Sequence, residues 1–252
     1  MDRDNVCENS MKNADISKYL EIFPGCIIAF VGCGGKTSLI ELIAAMNTDK
    51  KVLITPTTKT FPIASDGVTL CDTLQSCVEH IPKTGIQCFG QLNKRNGKLE
   101  ALPEKVLADI IPKYDIVLLE ADGSRWLPCK GWCENEPVVP DFCTHTVGVV
   151  TMNALNMEAT HNVVHHLPEF LSMTGLREGD MITMQTIEDM VCLPKGMFKN
   201  STGKQYLLVN QVEDDETEIN AKRFLENIKI NYPERFKKLI YGSVHRNSWY
   251  EE

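Results

Sequence analysis

The chain has 252 residues, of which 43% are hydrophobic and 24% charged, with 26 Lys and Arg against 34 Asp and Glu for a formal net charge of −8. That acidic balance argues against a nucleic-acid binder working by general phosphate neutralisation, and the composition excludes disorder, collagen-like structure and a small disulfide scaffold. The longest apolar stretch, residues 26–31, is far short of the roughly 20 residues of a membrane helix, and the polar opening residues 1–14 carry no apolar signal core. A cytoplasmic protein without membrane or nucleic-acid partners is expected, with its ten cysteines, which form no CxxC pair, largely reduced.

Residues 1–14 read as a flexible tail. Residues 27–31 then form the first of several β-branched apolar runs, continuous enough to suit a strand buried on both faces. Directly after it come Gly32, Cys33, Gly34, Gly35, Lys36, Thr37 and Ser38, opening a helical pattern over residues 37–46. The three glycines permit a turn whose successive N–H groups converge on a phosphate, and the helix N-terminus adds its dipole. Lys36 is expected at the outer phosphates and the Thr37 hydroxyl on Mg²⁺. A full Walker A would need Gly where Phe30 stands, so this is a shortened GxxGKT loop.

A second apolar run, residues 52–54, is expected beside the first strand and ends in Thr55-Pro56-Thr57-Thr58-Lys59-Thr60. Thr57, Thr58 and Lys59 are candidates for phosphate oxygens or metal-bound water. A helical pattern over residues 74–81 follows. Residues 86–102 read as an inserted β-hairpin with arms 87–92 and 97–102, its turn signalled by Asn96-Gly97.

After a helical pattern over residues 104–111, the run 116–119 ends in Glu120-Ala121-Asp122-Gly123. An acid at a strand end near a phosphate loop holds Mg²⁺ or orients water, so Glu120 and Asp122 join Thr37 as Mg²⁺ ligands and join Lys36 as catalytic candidates. Residues 123–144 form a long irregular stretch of the kind that tends to be functional or mobile. Cys129, Cys133, Cys143 and His145 offer four zinc-type ligands there without a known zinc spacing.

The remaining runs, 147–150, 207–209 and 239–241, alternate with helical patterns over 169–174, 186–191 and 218–228. His161, His165 and His166 lie close together between them, a trio open to a metal reading or a solvated one. Asn210-Gln211-Val212-Glu213 ends the run 207–209 where guanine-binding proteins place NKxD, making Asn210 and Glu213 base-site candidates with Gln211 in place of Lys. The whole pattern specifies an α/β chain: one domain over residues 1–252, a P-loop NTPase-like three-layer fold with a mainly parallel sheet and an inserted hairpin.

The stretches GCGGKTSLI, TPTTK, LLEADGSRWLPCKG, EPVVP and VGVV, with later pieces LSMTGL and NQVE, resemble the YqeC family over residues 27–242. What the resemblance implies is a nucleotide-binding accessory or maturation protein for selenium-dependent molybdenum hydroxylases, using Mg²⁺ with ATP or GTP and acting as a slow NTPase. Carried over residue by residue, the phosphate loop is Gly32, Gly34, Gly35, Lys36 and Thr37, and the TTK motif is Thr57, Thr58 and Lys59. Glu120, Asp122 and Gly123 match the EADG motif, and Lys130, Glu136 and Pro137 the downstream array; of the histidines, the pattern favours His165. Two other readings stay open from the residues alone. One is an ATP-dependent ligase with a Mur-type short loop, for which 252 residues leave little room; the other is a nucleotide-responsive binding protein without turnover.

Overall fold

In the central apolar run, Ile28 and Phe30 face one side of a sheet while Ala29 and Val31 face the other, and both sides are covered. The computed structural model describes residues 15–252. The expected tail, residues 1–14, lies outside the described residues.

The strands are β1 (Cys26–Gly32), β2 (Lys51–Pro56), β3 (Lys59–Thr60), β4 (Val68–Cys71), β5 (Gly85–Phe89), β6 (Gln91–Asn93), β7 (Lys98–Glu100), β8 (Ile116–Glu120), β9 (Cys129–Lys130), β10 (His145–Thr151), β11 (Val164–His165), β12 (Lys204–Asn210), β13 (Lys238–Ser243) and β14 (Ser248–Glu251). The helices are α1 (Ile16–Tyr19), α2 (Lys36–Ala45), α3 (Leu74–Glu79), α4 (Glu104–Ile110), α5 (Leu167–Thr174), α6 (Met184–Cys192) and α7 (Asp215–Asn231). Nine strands form the main sheet in the order β14-β13-β12-β10-β1-β8-β2-β5-β4. Every neighbouring pair is parallel except β13 with β14.

One face carries α1 and α2, through Ile16, Leu20, Leu39, Ile40 and Ile43, packed on Ile28, Phe30, Ile54, Leu118 and Val149. The other carries α4 to α7, with Leu107, Phe170, Ile187, Phe224 and Leu225 over Val31, Leu53, Leu119 and Val209. This is the three-layer α/β architecture that a parallel sheet buried on both faces requires. Side-chain caps fix where the later helices begin: Thr183 and Thr186 make a reciprocal box at α6, and Asp214 and Thr217 another at α7.

Three sequence expectations change. β2 is not the neighbour of β1, because β8 lies between them and pairs with both. The hairpin is narrower than residues 86–102: β5 belongs to the main sheet, where Cys88 and Phe89 are buried, and only β6 and β7, joined by β3, form the small antiparallel sheet. Strands β4 and β14 were not legible as strands, since each is a short edge of four residues with half or more of its side chains outside the core.

Candidate functional site

The turn between β1 and α2 takes the conformation its composition allows. Gly32, Gly34 and Gly35 hold φ of 100°, 100° and 103°, in the left-handed half of conformational space that side chains disfavour. At Gly34 space is short as well, since a Cβ would stand 3.0 Å from the Val150 carbonyl carbon. Gly35 caps α2 with no side-chain hydrogen bond, leaving the first helical amides of Lys36, Thr37 and Ser38 toward open space. These residues, with Gly34 and Gly35, line a cleft of about 850 Å³, within the size range of small-molecule sites.

β8 runs beside β1 and delivers Glu120 to the same cleft. Its Oε2 accepts hydrogen bonds from the hydroxyls of Thr37, at 3.1 Å, and Thr60, at 2.9 Å. Burial pushes the Glu120 carboxyl up, against the lowering influence of Lys36, Thr60 and Thr37. A hydroxyl and a carboxylate converging beside a glycine turn form an oxygen donor set suited to a hard cation such as Mg²⁺.

Asp122 sits differently. It is fully buried, and its two oxygens accept from the Gly32 amide at 3.1 and 3.0 Å and from the Trp132 indole at 2.6 Å. Lys36 stands 3.1 Å away and Lys130 3.6 Å. Burial alone would raise its pKa, but the two ammonium groups, the Gly32 amide and the indole together hold it below the usual range. Asp122, expected as a Mg²⁺ ligand, is instead engaged in anchoring the glycine turn and is not among the residues that line the cleft. Lys36 is also mostly buried; its ammonium donates to the Gly32 carbonyl and keeps its proton despite burial because Asp122 and Glu120 face it.

Cys33 contributes packing, its thiol donating to the Pro128 carbonyl at 2.9 Å and pushed up by burial to about 12. Of the Thr-Lys row, Lys59 reaches the cleft rim, where Glu100 pairs with it at 3.0 Å. Thr57 instead ties β2 to the following loops, donating to the Val138 carbonyl at 2.6 Å. The Thr58 hydroxyl is buried without a partner.

Asn210 and Glu213, the base-site candidates, make their contacts elsewhere. The Asn210 amide nitrogen donates to the Gly34 carbonyl at 2.7 Å and its oxygen accepts from the Val244 amide at 3.0 Å. Glu213 accepts from the Ser243 hydroxyl. Asn210 thus braces the glycine turn, and it is Gln211, with a positive φ of 64°, that turns toward the cleft beside Asn153.

Sequence reasoning missed the outer wall. Phe61 and Trp126 stack with ring planes 4° apart and centroids at 5.9 Å, although Trp126 is 88% exposed. Lys98 lies 5.0 Å over the Phe61 ring, and Arg125 stands next to Trp126. Among the described residues, Lys36, Lys59, Lys98 and Arg125 line the cleft with one acid, Glu120; Lys36 and Lys59 are paired with Asp122 and Glu100, so Lys98 and Arg125 give the rim its positive charge. An exposed aromatic in a proline-containing loop after EADG was the only signal available.

The four zinc-type ligands Cys129, Cys133, Cys143 and His145 are not gathered into one cluster. Cys129 is buried with its thiol pushed well up, and Cys143 likewise to about 12. His145 packs flat on the Tyr206 ring at 5.3 Å. His161 is exposed, while the His165 ring lies tilted against that of His166, with centroids 3.9 Å apart, and is depressed to about 4, by burial first and then by neighbouring positive charge.

A profile of the YqeC protein family matches residues 28–168, which span the glycine turn, β8, the Trp126 loop and His165. The chain is also 30% identical, over 181 residues covering 69% of this chain and 70% of the relative, to the uncharacterized protein YqeC of Escherichia coli (strain K12).

Proposed function

The chain belongs to the YqeC family, and from that premise we propose that it binds a Mg²⁺–nucleoside triphosphate and serves as an accessory factor in the maturation of a selenium-dependent molybdenum hydroxylase. The observation that carries the nucleotide reading is the Thr37 hydroxyl 3.1 Å from the Glu120 carboxylate, at the edge of a cleft whose floor is the glycine turn. Thr37 and Glu120 would hold the Mg²⁺, which when bound neutralises phosphate charge and polarises the outer phosphate. The amides opening α2 and Lys36 face the phosphates, and Lys59, Lys98 and Arg125 supply attraction at the rim. Phe61 and Trp126 offer flat apolar surface to a base. Slow hydrolysis fits a cleft in which, among the described residues, the one lining carboxylate, Glu120, is given to the metal and none is left to activate water.

Calorimetric titration with ATP and GTP, each with Mg²⁺ and with chelator, tests the nucleotide reading. Tighter binding with Mg²⁺ that disappears in Thr37→Ala is expected; equal affinity with and without Mg²⁺ would overturn it. The family's role is tested in a strain lacking the protein, which should make hydroxylase polypeptide with its molybdenum cofactor but without labile selenium. Full hydroxylase activity in that strain would remove the maturation role and leave nucleotide binding standing.

A further inference from the structure

On the far side of the Trp132 loop, a second group of ligand-type side chains meets. β9 and β11 pair in parallel, with Cys129 opposite Val164 and Lys130 opposite His165, and the Gly131 amide donates to the His165 carbonyl at 2.8 Å. At Gly131 the chain passes so close to the first turn of α5 that a Cβ would overlap the Phe170 amide and the His166 carbonyl. Cys133, two residues on, is thereby fixed against the start of that helix. His166 is the residue before α5, in left-handed conformation and making no side-chain cap. Glu169, three residues later, falls on the same side of the first turn.

The Cys133 sulfur lies 3.3 Å from His166 Nδ1 and 3.7 Å from Glu169 Oε1, and ligand atoms of all three residues fall within 4.8 Å of one another. With Zn–S near 2.3 Å and Zn–N or Zn–O near 2.0–2.1 Å, a tetrahedral site has S···N and S···O edges of about 3.5 Å. The observed separations bracket that value. Glu136 stands 3.8 Å from His166 Nε2, but its oxygen is already held by Lys130 at 2.9 Å.

We propose that Cys133, His166 and Glu169 form a three-ligand site for a borderline divalent transition metal of the Zn²⁺ class, with the fourth position open to water or an exogenous ligand. Binding exchanges the thiol proton for the metal, so one proton leaves as the metal–thiolate bond forms. The mixed thiolate, imidazole and carboxylate set selects against Mg²⁺, which prefers oxygen alone, and so separates this site from the Thr37–Glu120 pair.

Metal-free full-length protein titrated with Co²⁺ provides the test. One Co²⁺ per chain is expected, with a near-ultraviolet thiolate-to-cobalt charge-transfer band that added Zn²⁺ displaces. Cys133→Ser should lose the band, and His166→Gln and Glu169→Gln should each weaken Zn²⁺ binding at least about tenfold. Absence of the band in the wild type, or its survival in Cys133→Ser, would overturn the site. Nucleotide titration of Cys133→Ser should match the wild type, so failure of the metal site and failure of the nucleotide reading are told apart.

Discussion

Lys36 and Asp122 form an ion pair 3.1 Å long in which the carboxylate is fully buried and the ammonium nearly so, so the residue expected to meet phosphate is also part of what holds the loop closed. Removing one member of such a pair leaves the other charged and buried, which costs about 3–5 kcal/mol. Lys36→Met is therefore expected to lose nucleotide binding and also stability, by about 3 kcal/mol, because Lys130, Trp132 and the Gly32 amide still support Asp122. Lys36→Met combined with Asp122→Asn should recover most of the stability but not the binding. Urea denaturation read beside calorimetry checks both; a Lys36→Met protein as stable as the wild type would show that the pair contributes nothing to the fold. Asp122 is depressed below its ordinary 3.8, so its contribution is present above that value and fades as pH falls below it.

Glu120 has the opposite sign. Its carboxyl is raised above the ordinary 4.5 by burial, so in the absence of metal the ionised form detracts from stability, increasingly as pH rises from 4.5 through the folded value. Glu120→Gln should therefore be more stable than the wild type at neutral pH in chelator, by about 0.5–2 kcal/mol, and should lose the Mg²⁺ dependence of nucleotide binding. Thermal melts from pH 4 to 8, with and without Mg²⁺, measure both effects; a variant less stable at every pH would assign Glu120 to the fold.

For the base, the preference between ATP and GTP is expected to stay under about tenfold, or ~1.4 kcal/mol, because the Asn210 and Glu213 side chains are already occupied by Gly34, Val244 and Ser243. Asn210→Ala should weaken ATP and GTP equally while lowering stability by about 1–3 kcal/mol, the cost of orphaning the Val244 amide and Gly34 carbonyl. Competition of the two nucleotides against one labelled probe decides it. A hundredfold GTP preference that Asn210→Ala abolishes would return the residue to the base.

Trp126 is the one tryptophan at the surface, since Trp132 and Trp249 are buried. Its emission should change on addition of Mg²⁺–nucleotide, and Trp126→Ala should cost about 1–3 kcal/mol of affinity, the range for base–aromatic stacking. Stability should be untouched. Unchanged affinity would leave the Phe61–Trp126 stack as a feature of the loops alone.

His165 is held neutral in the fold and depressed to about 4 from 6.5. A depressed histidine subtracts stability once the unfolded chain begins to take up its proton, so between pH 6.5 and 4 the protein should lose on the order of 1 kcal/mol through this group, after allowing for its partial solvent exposure. His165→Gln should flatten that part of the pH–stability curve. An unaltered slope would place the acid sensitivity elsewhere.

The order of strand, glycine turn and helix was legible because each element has a local cause: a two-sided apolar run, three glycines in four positions, and a helix that starts on them. Thr37 and Glu120 were legible for the same reason, both lying at fixed offsets from strand ends. The role of Asp122 was not, because its indole and second ammonium partners, Trp132 and Lys130, arrive through an irregular loop whose path no periodicity describes. Asn210 shows a second limit. A polar residue closing a strand announces that it sits at the carboxyl edge, but not whether it points into the cleft or under the neighbouring turn; here Asn210 went under and Gln211 went in. Phe61, Lys98 and Trp126 come from three separate segments of the chain, and only the fold brings them to one wall.

The placement of β1 also sets a timetable. Its neighbours in the sheet are β8 and β10, and the carboxylate that anchors Gly32 lies 90 residues further along the chain. As the polypeptide leaves the ribosome from its N-terminus, at some 5–20 residues per second, the glycine turn must wait several seconds for Asp122 to emerge. Until β8 and β10 arrive, the most apolar strand of the protein has neither edge covered. Pairings this distant in sequence are slow to form, so during synthesis the strand that carries the glycine turn stands for that interval without the two neighbours that flank it in the finished sheet.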